Sequence, residues 1–333
     1  MAKSYNATEY MYSSARIRSM ETRIAGREQI YRLADADSVA TVQSQLVDYG
    51  FETVYNADGG FSREETLLSV LKNGFAELES MECAQAIRFL KYQYDCNNIK
   101  SLIKCAAAGR PAQFMLLPLG SVSIEDTQRA FSHKDYSVFP PAMAAAIAEA
   151  EETLAATADP QKVDLIIDRA TFADMLSSAI ESGVPLAEKL VRTKIDLVNA
   201  TVALRLVRMR LGQRTVPLFS EAFIEGGTLD RAALSEALES EERLCEALSY
   251  GSCSAIAALI GEGADLGTVE RKSDDILCSV AREAKYEPFG VEVAIGYIFA
   301  LEYEVKNIRI ILAGKEAGLS PEIIRERLRE CYV

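Results

Sequence analysis

Three stretches of this chain repeat one another, and that repetition restricts the fold more than any other feature. YDCNNIKSLIKCAAAG runs from Tyr94 to Gly109, IDLVNATVALRLVRMRLG from Ile195 to Gly212, and YEVKNIRIILAG from Tyr303 to Gly314. Each has an acid, two residues, an Asn and then an apolar helical run that reaches a Gly. The pairs are Asp95 and Asn98, Asp196 and Asn199, Glu304 and Asn307, and the acids lie 101 and 108 residues apart. Units this long exceed tetratricopeptide or HEAT repeats. The spacing therefore predicts an all-α chain of three similar helical domains, an internal triplication. Three such units can close around a pseudo-threefold axis and leave a central depression. A helix restarts after each copy: at Ser123 after Gly120, at Thr228-Leu229-Asp230 after Gly227, and at Ser320-Pro321-Glu322 after Gly318. These three starts are expected at equivalent levels of the fold. The expected domains are 1–122, including an N-terminal helix, 123–227 and 228–333.

The local patterns agree with helix. Val291, Ala294, Ile298, Leu301, Val305, Ile308 and Leu312 follow the 3-4 spacing of one continuous apolar stripe. From Val291 to Leu301 the only charge is Glu292, so this helix should be buried on several sides. METRIAGREQIYRLA (20–34), VDLIIDRATFADMLSSAI (163–180) and RAALSEALESEERLCEALS (231–249) each read as one amphipathic helix. Pro140-Pro141 precedes an alanine-rich helix that stops before Asp159-Pro160. Period-two alternation is confined to short pieces such as MLLPL. Upstream of the repeated runs, IDRATFADML aligns with VERKSDDIL, setting Asp168-Arg169 against Glu270-Arg271. FSREETLL, with Arg63, is the first copy's version.

Little in the sequence points to catalysis. Gly314-Lys315 suggests a phosphate loop, but that motif needs Gly at position 309 and a hydroxyl at 316, where Arg309 and Glu316 stand. The two glycines at 314 and 318 instead read as the end of a long helix. The single histidine, His133, reads as part of a surface turn in FSHKDYS and excludes a His-based metal site or a Ser-His-Asp triad. Asp274-Asp275 would open an Asp-Asp-x-x-Asp magnesium motif, but Cys278 stands where the last acid belongs. Seven dispersed cysteines without a C-x-x-C pair read as free thiols in a reducing compartment. No catalytic, cofactor-binding or metal residue is assigned. A net charge of −13 disfavours nucleic acid as a partner. The opening MAKSYNATEYMYSSARIRSM lacks the apolar core of a secretory leader. The longest apolar run, Val293 to Leu301, falls short of the ~20 residues of a membrane span.

Residues three apart on a helix share a face, so each acid and its Asn can act as a pair. Two readings stay open. Either each Asn bonds a backbone group of a neighbouring segment and fixes where the helix docks, or the three pairs line a surface that meets a partner. Arg16, Arg18 and Arg23 near the start are equally compatible with an internal bridge and with a partner contact.

ARIRSMETRI, IDRATFADML, IDLVNATVALR and, above all, PFGVEVAIGYIFALEYEVKNIRIILAGKEAGLSPEIIRERLRECYV resemble the C subunit of the prokaryotic A/V-type rotary ATPases, the counterpart of the d subunit in eukaryotic V-ATPases. The resemblance covers about residues 10 to 333 and is most specific from Pro288 onward. One departure is Ala200-Thr201 in the second copy, where the others have Ile followed by Lys or Arg. The resemblance implies a funnel-shaped, non-catalytic protein of three helical domains without a cofactor. It implies a socket on the cytoplasmic face of the membrane-embedded proteolipid ring that receives the central shaft subunits D and F. It implies torque transfer that couples ATP hydrolysis or synthesis to H⁺ or Na⁺ transport. A helical scaffold outside any ATPase is the alternative, and it would leave the C-terminal block unexplained.

Overall fold

The computed structural model describes residues 5–333. Residues 1–4, which open the stretch read for a leader, lie outside the described residues. The described chain is helical throughout. In order the α-helices are α1 (Met11–Glu21), α2 (Arg27–Asp35), α3 (Val39–Asp48), α4 (Arg63–Glu79), α5 (Tyr92–Ala107), α6 (Ile124–His133), α7 (Pro141–Thr157) and α8 (Pro160–Glu181). They continue with α9 (Pro185–Met209), α10 (Thr215–Ala222), α11 (Arg231–Ala237), α12 (Glu241–Leu248), α13 (Ser254–Gly261), α14 (Leu266–Ala281), α15 (Val291–Glu316) and α16 (Pro321–Arg327). One isolated antiparallel bridge, Tyr55 with Phe61, is the only β pairing among the described residues. MLLPL forms no strand; the backbone of its central residue, Leu117, bonds Asn98.

The helix starts follow capping chemistry. Ser123, Asp230, Ser240 and Ser320 each accept the N–H of the third residue onward, and Asp159 accepts that of Gln161 beside Pro160. Two single helices expected from the sequence are each two. The 20–34 stretch breaks between Glu21 and Arg27, where Gly26 is extended (φ −76°, ψ 175°) and the Ala25 N–H is used by a distant carboxylate. The 231–249 stretch breaks at Leu238–Ser240 because Ser240 caps a new helix. His133 is the last residue of α6, followed by Lys134 in the left-handed region.

The chain divides into two compact units. One comprises Ala86–Glu270, and the other joins residues 5–85 to Arg271–Val333; the division falls inside α14. In the first unit α8 packs against α7, α5 and α9. Its core includes Met143, Ile147, Val163, Ile167, Leu190, Ile195, Leu204 and Phe219. Asp174 on α8 reaches the start of α7 and accepts the N–H groups of Ala142 and Met143 at 3.0 and 2.8 Å, which fixes where those helices meet.

In the second unit α15 is the central element and packs on α1, α2 and α4. Every residue from Val291 to Leu301 is buried, including Glu292, as the near-continuous apolar run requires. Arg309 pairs with Glu64 at 3.1 Å and Glu316 with Arg63 at 2.6 Å, joining α15 to the start of α4. Gly314 does not end α15. It is buried two residues before the last one, and a Cβ there would lie 2.6 Å from Cγ1 of Ile324 on α16. The helix stops at Gly318, whose φ of +68° is the usual left-handed terminator.

Candidate functional site

The six repeat residues are buried: Asp95, Asn98, Asn199 and Asn307 are fully enclosed, Asp196 nearly so, and Glu304 is 5% exposed. Each lies on the long helix of its copy, α5, α9 or α15. The i, i+3 spacing turns acid and Asn toward the same side of that helix.

The three asparagines do identical work. Asn98 donates to the Leu117 carbonyl at 2.9 Å and accepts the Leu117 N–H at 2.7 Å. Asn199 donates to the Ile224 carbonyl at 2.8 Å and accepts the Ile224 N–H at 2.9 Å. Asn307 donates to the Arg329 carbonyl at 3.1 Å and accepts the Arg329 N–H at 2.8 Å. A side-chain amide carries one donor and one acceptor side by side, so it can satisfy both polar groups of a single buried residue. No other neutral side chain of this size does so, which accounts for Asn in all three copies.

The acids divide two against one. Asp95 accepts the N–H groups of Ser121 and Val122 at 2.9 and 3.2 Å. Asp196 accepts those of Thr228 and Leu229 at 2.7 and 3.1 Å and the Thr228 hydroxyl at 2.6 Å. In both loops the preceding glycine presses on the carboxylate: a Cβ at Gly120 would lie 2.1 Å from Oδ1 of Asp95, and one at Gly227 would lie 2.2 Å from Oδ1 of Asp196. Glu304 turns elsewhere. It accepts the N–H of Ala25 at 2.6 Å, 279 residues away in sequence, just before Gly26 and α2. Gly318, expected to be equivalent to Gly120 and Gly227, takes no part in such a clasp: a Cβ on it would meet nothing within 4 Å.

Burial acts on two of the carboxyls. It pushes Asp95 above its ordinary value despite the donated N–H groups, and it pushes Glu304 up to about 7 against its one N–H. Sequence reasoning missed Ala25, Gly26 and Asp174. The signal for Gly120 and Gly227 was present, since each lies three residues after the backbone its Asn holds. No such mark precedes Ala25. Asp274 and Asp275, weighed as magnesium ligands, hold the C-terminal segment: Asp274 bonds Arg329 and Lys306, each at 2.8 Å, and Asp275 accepts the Glu330 N–H at 2.8 Å. Among the described residues no group of three or more His, Cys, Asp or Glu is placed to hold a metal ion.

Such clasps tie loops to the long helices. The family model described as ATP synthase (C/AC39) subunit matches residues 13–327. The chain belongs to this family. Among curated relatives, the C subunit of the V-type sodium ATPase of Enterococcus hirae is 24% identical over 336 residues, covering 97% of this chain and 99% of that protein. The C subunit of the A-type ATP synthase of Haloferax volcanii is 28% identical over 351 residues, covering 95% and 96%. The C subunit of the V-type ATP synthase of Thermus thermophilus is 24% identical over 256 residues, covering 74% and 75%. Like the sequence, the structure of this C/AC39 chain has no helix long and apolar enough to cross a membrane among its described residues. A surface cavity of about 820 Å³ lies in the first unit between Arg208, Thr215, Glu236, Glu242 and Ile260, and neither Asp196 nor Asn199 lines it.

Proposed function

We propose that this chain is the non-catalytic central-stalk component of a rotary V/A-type ATPase. It acts as a socket that joins the shaft subunits D and F to the proteolipid ring on the cytoplasmic face of the membrane. In that place it transmits the torque that couples ATP hydrolysis or synthesis to ion transport. The observation that carries this reading is the C/AC39 match over residues 13–327. The transported ion, H⁺ or Na⁺, is bound by other subunits; one relative is named as part of a sodium ATPase and others as parts of ATP synthases.

The clasps support a body built of three domains, 1–122, 123–227 and 228–333. The acid of the first holds that domain's last residues, Ser121 and Val122, directly before the second, and the acid of the second holds the start of the third. The acid of the third holds the start of α2, in the first. A cyclic order of this kind suits a funnel about a pseudo-threefold axis, and a torque-bearing part must be stiff. On this reading Asp95, Asn98, Asp196, Asn199, Glu304 and Asn307 serve partner binding indirectly, by fixing the loops around them.

Affinity purification tests it. The tagged chain, recovered from mildly solubilised membranes, is expected to bring the shaft subunits and the proteolipid ring with it. A functional tagged chain recovered alone or with unrelated soluble proteins overturns the socket.

A further inference from the structure

The Asp95 and Asp196 clasps close on backbone 26 and 32 residues further along, so each shuts one local loop. The Glu304 clasp joins segments 279 residues apart. It is also the most lightly made. Among the described residues Glu304 accepts one N–H, where Asp95 accepts two and Asp196 two with the hydroxyls of Thr228 and Ser252. Its side chain has one more rotatable bond than Asp. No glycine backbone is wedged against it, since the atoms nearest a Cβ on Gly26 lie 3.9 Å away.

We infer that the Glu304–Ala25 contact is a latch: the α1–α2 linker leaves α15 there in a local opening, while the Asp95 and Asp196 clasps stay shut. Burial of the Glu304 carboxyl with a single N–H partner acts in the same direction, because a charge with few hydrogen bonds gains little by staying enclosed. Elements that open locally are those whose backbone is held by few buried bonds. The contacts of Asn307 with Arg329 are of the two-bond kind seen in the other copies and are expected to persist through the opening. The latch thus gives the first and third repeats a joint that the other two junctions lack. This inference is independent of the socket reading.

Amide hydrogen exchange on the full chain, read at single-residue resolution by fragmentation, tests it. The protection factor of the Ala25 amide is expected to be at least about tenfold below those of Val122 and Leu229, the equivalent of one lost hydrogen bond. Equal or greater protection at Ala25 overturns the latch. In Glu304→Ala, exchange is expected to rise at Ala25 and through α2 and to stay unchanged at Val122 and Leu229. A rise at all three junctions would mean that opening is global and would also overturn it. Should that variant fail to fold, the comparison within the unaltered chain decides alone.

Discussion

Asp196 and Glu304 occupy the same place in two copies of one helix, yet their surroundings differ. Asp196 meets a loop that follows α10, 32 residues further along, and two N–H groups and two hydroxyls converge on it over a glycine that leaves no room for a Cβ. Glu304 meets a linker from the far end of the sequence and takes one N–H across a looser approach. A short acid suits a loop that is pressed against it, and a longer one spans to a segment that is not. The asparagines three residues on show no such difference: each makes the same two bonds to one backbone residue. The repeat therefore preserves its amide clasp and varies its acid clasp.

Substitutions should separate the two acids. Asp196→Ala leaves the buried N–H groups of Thr228 and Leu229 without acceptors, and a loss of roughly 3–5 kcal/mol is expected at ~1–3 kcal/mol for each unsatisfied group. Glu304→Ala strands one N–H and removes a buried carboxyl, so its loss should be under about half as large. Equal losses in urea denaturation would abolish the distinction. Asn98→Ala, Asn199→Ala and Asn307→Ala should each cost roughly 2–4 kcal/mol and agree with one another within ~1 kcal/mol. A spread as wide as that between the acids would show that the amide clasps also differ. Gly227→Ala should cost about 1–3 kcal/mol by forcing its Cβ onto Asp196, whereas Gly26→Ala, whose Cβ would meet only ordinary contacts at 3.9 Å, should cost under about 1 kcal/mol.

The contrast also marks how far the sequence could be read. The helices, the long α15 and the six repeat residues were legible because periodicity and spacing are local signals. Gly120 and Gly227 were legible as helix restarts, though not as the places where carboxylates touch backbone. Ala25 was not legible at all. It sits inside a stretch whose apolar spacing reads as one helix, and at the break its N–H bonds Glu304, a residue 279 positions away. Gly314 was misread for a related reason. Its glycine is needed for the approach of Ile324 from the following helix and does not terminate α15. Where tertiary contact outweighs local propensity, the pattern carries no trace of it.

The smallest effect expected is the one most specific to Glu304. Burial raises its carboxyl from 4.5 to about 7, while Tyr297 on α15 and Cys331 in the C-terminal segment are the titratable groups that feel its charge. Below about pH 4.5 the group is protonated in both folded and unfolded chains and contributes no pH dependence. Between that value and about 7 the folded chain holds a proton that the unfolded chain has lost, so stability falls as pH rises. Above about 7 the burial penalty on the charged form is fully present. A fall of ~1–2 kcal/mol across this window is expected after the linker relaxes around the charge. Glu304→Gln keeps the acceptor and removes the titration, so it should flatten that part of the profile. Asp196→Asn should leave it in place. If Glu304→Gln and the unaltered chain follow the same curve from pH 4.5 to 7, Glu304 is not the titrating group, and the looser of the two acid clasps differs from the tighter one in geometry alone.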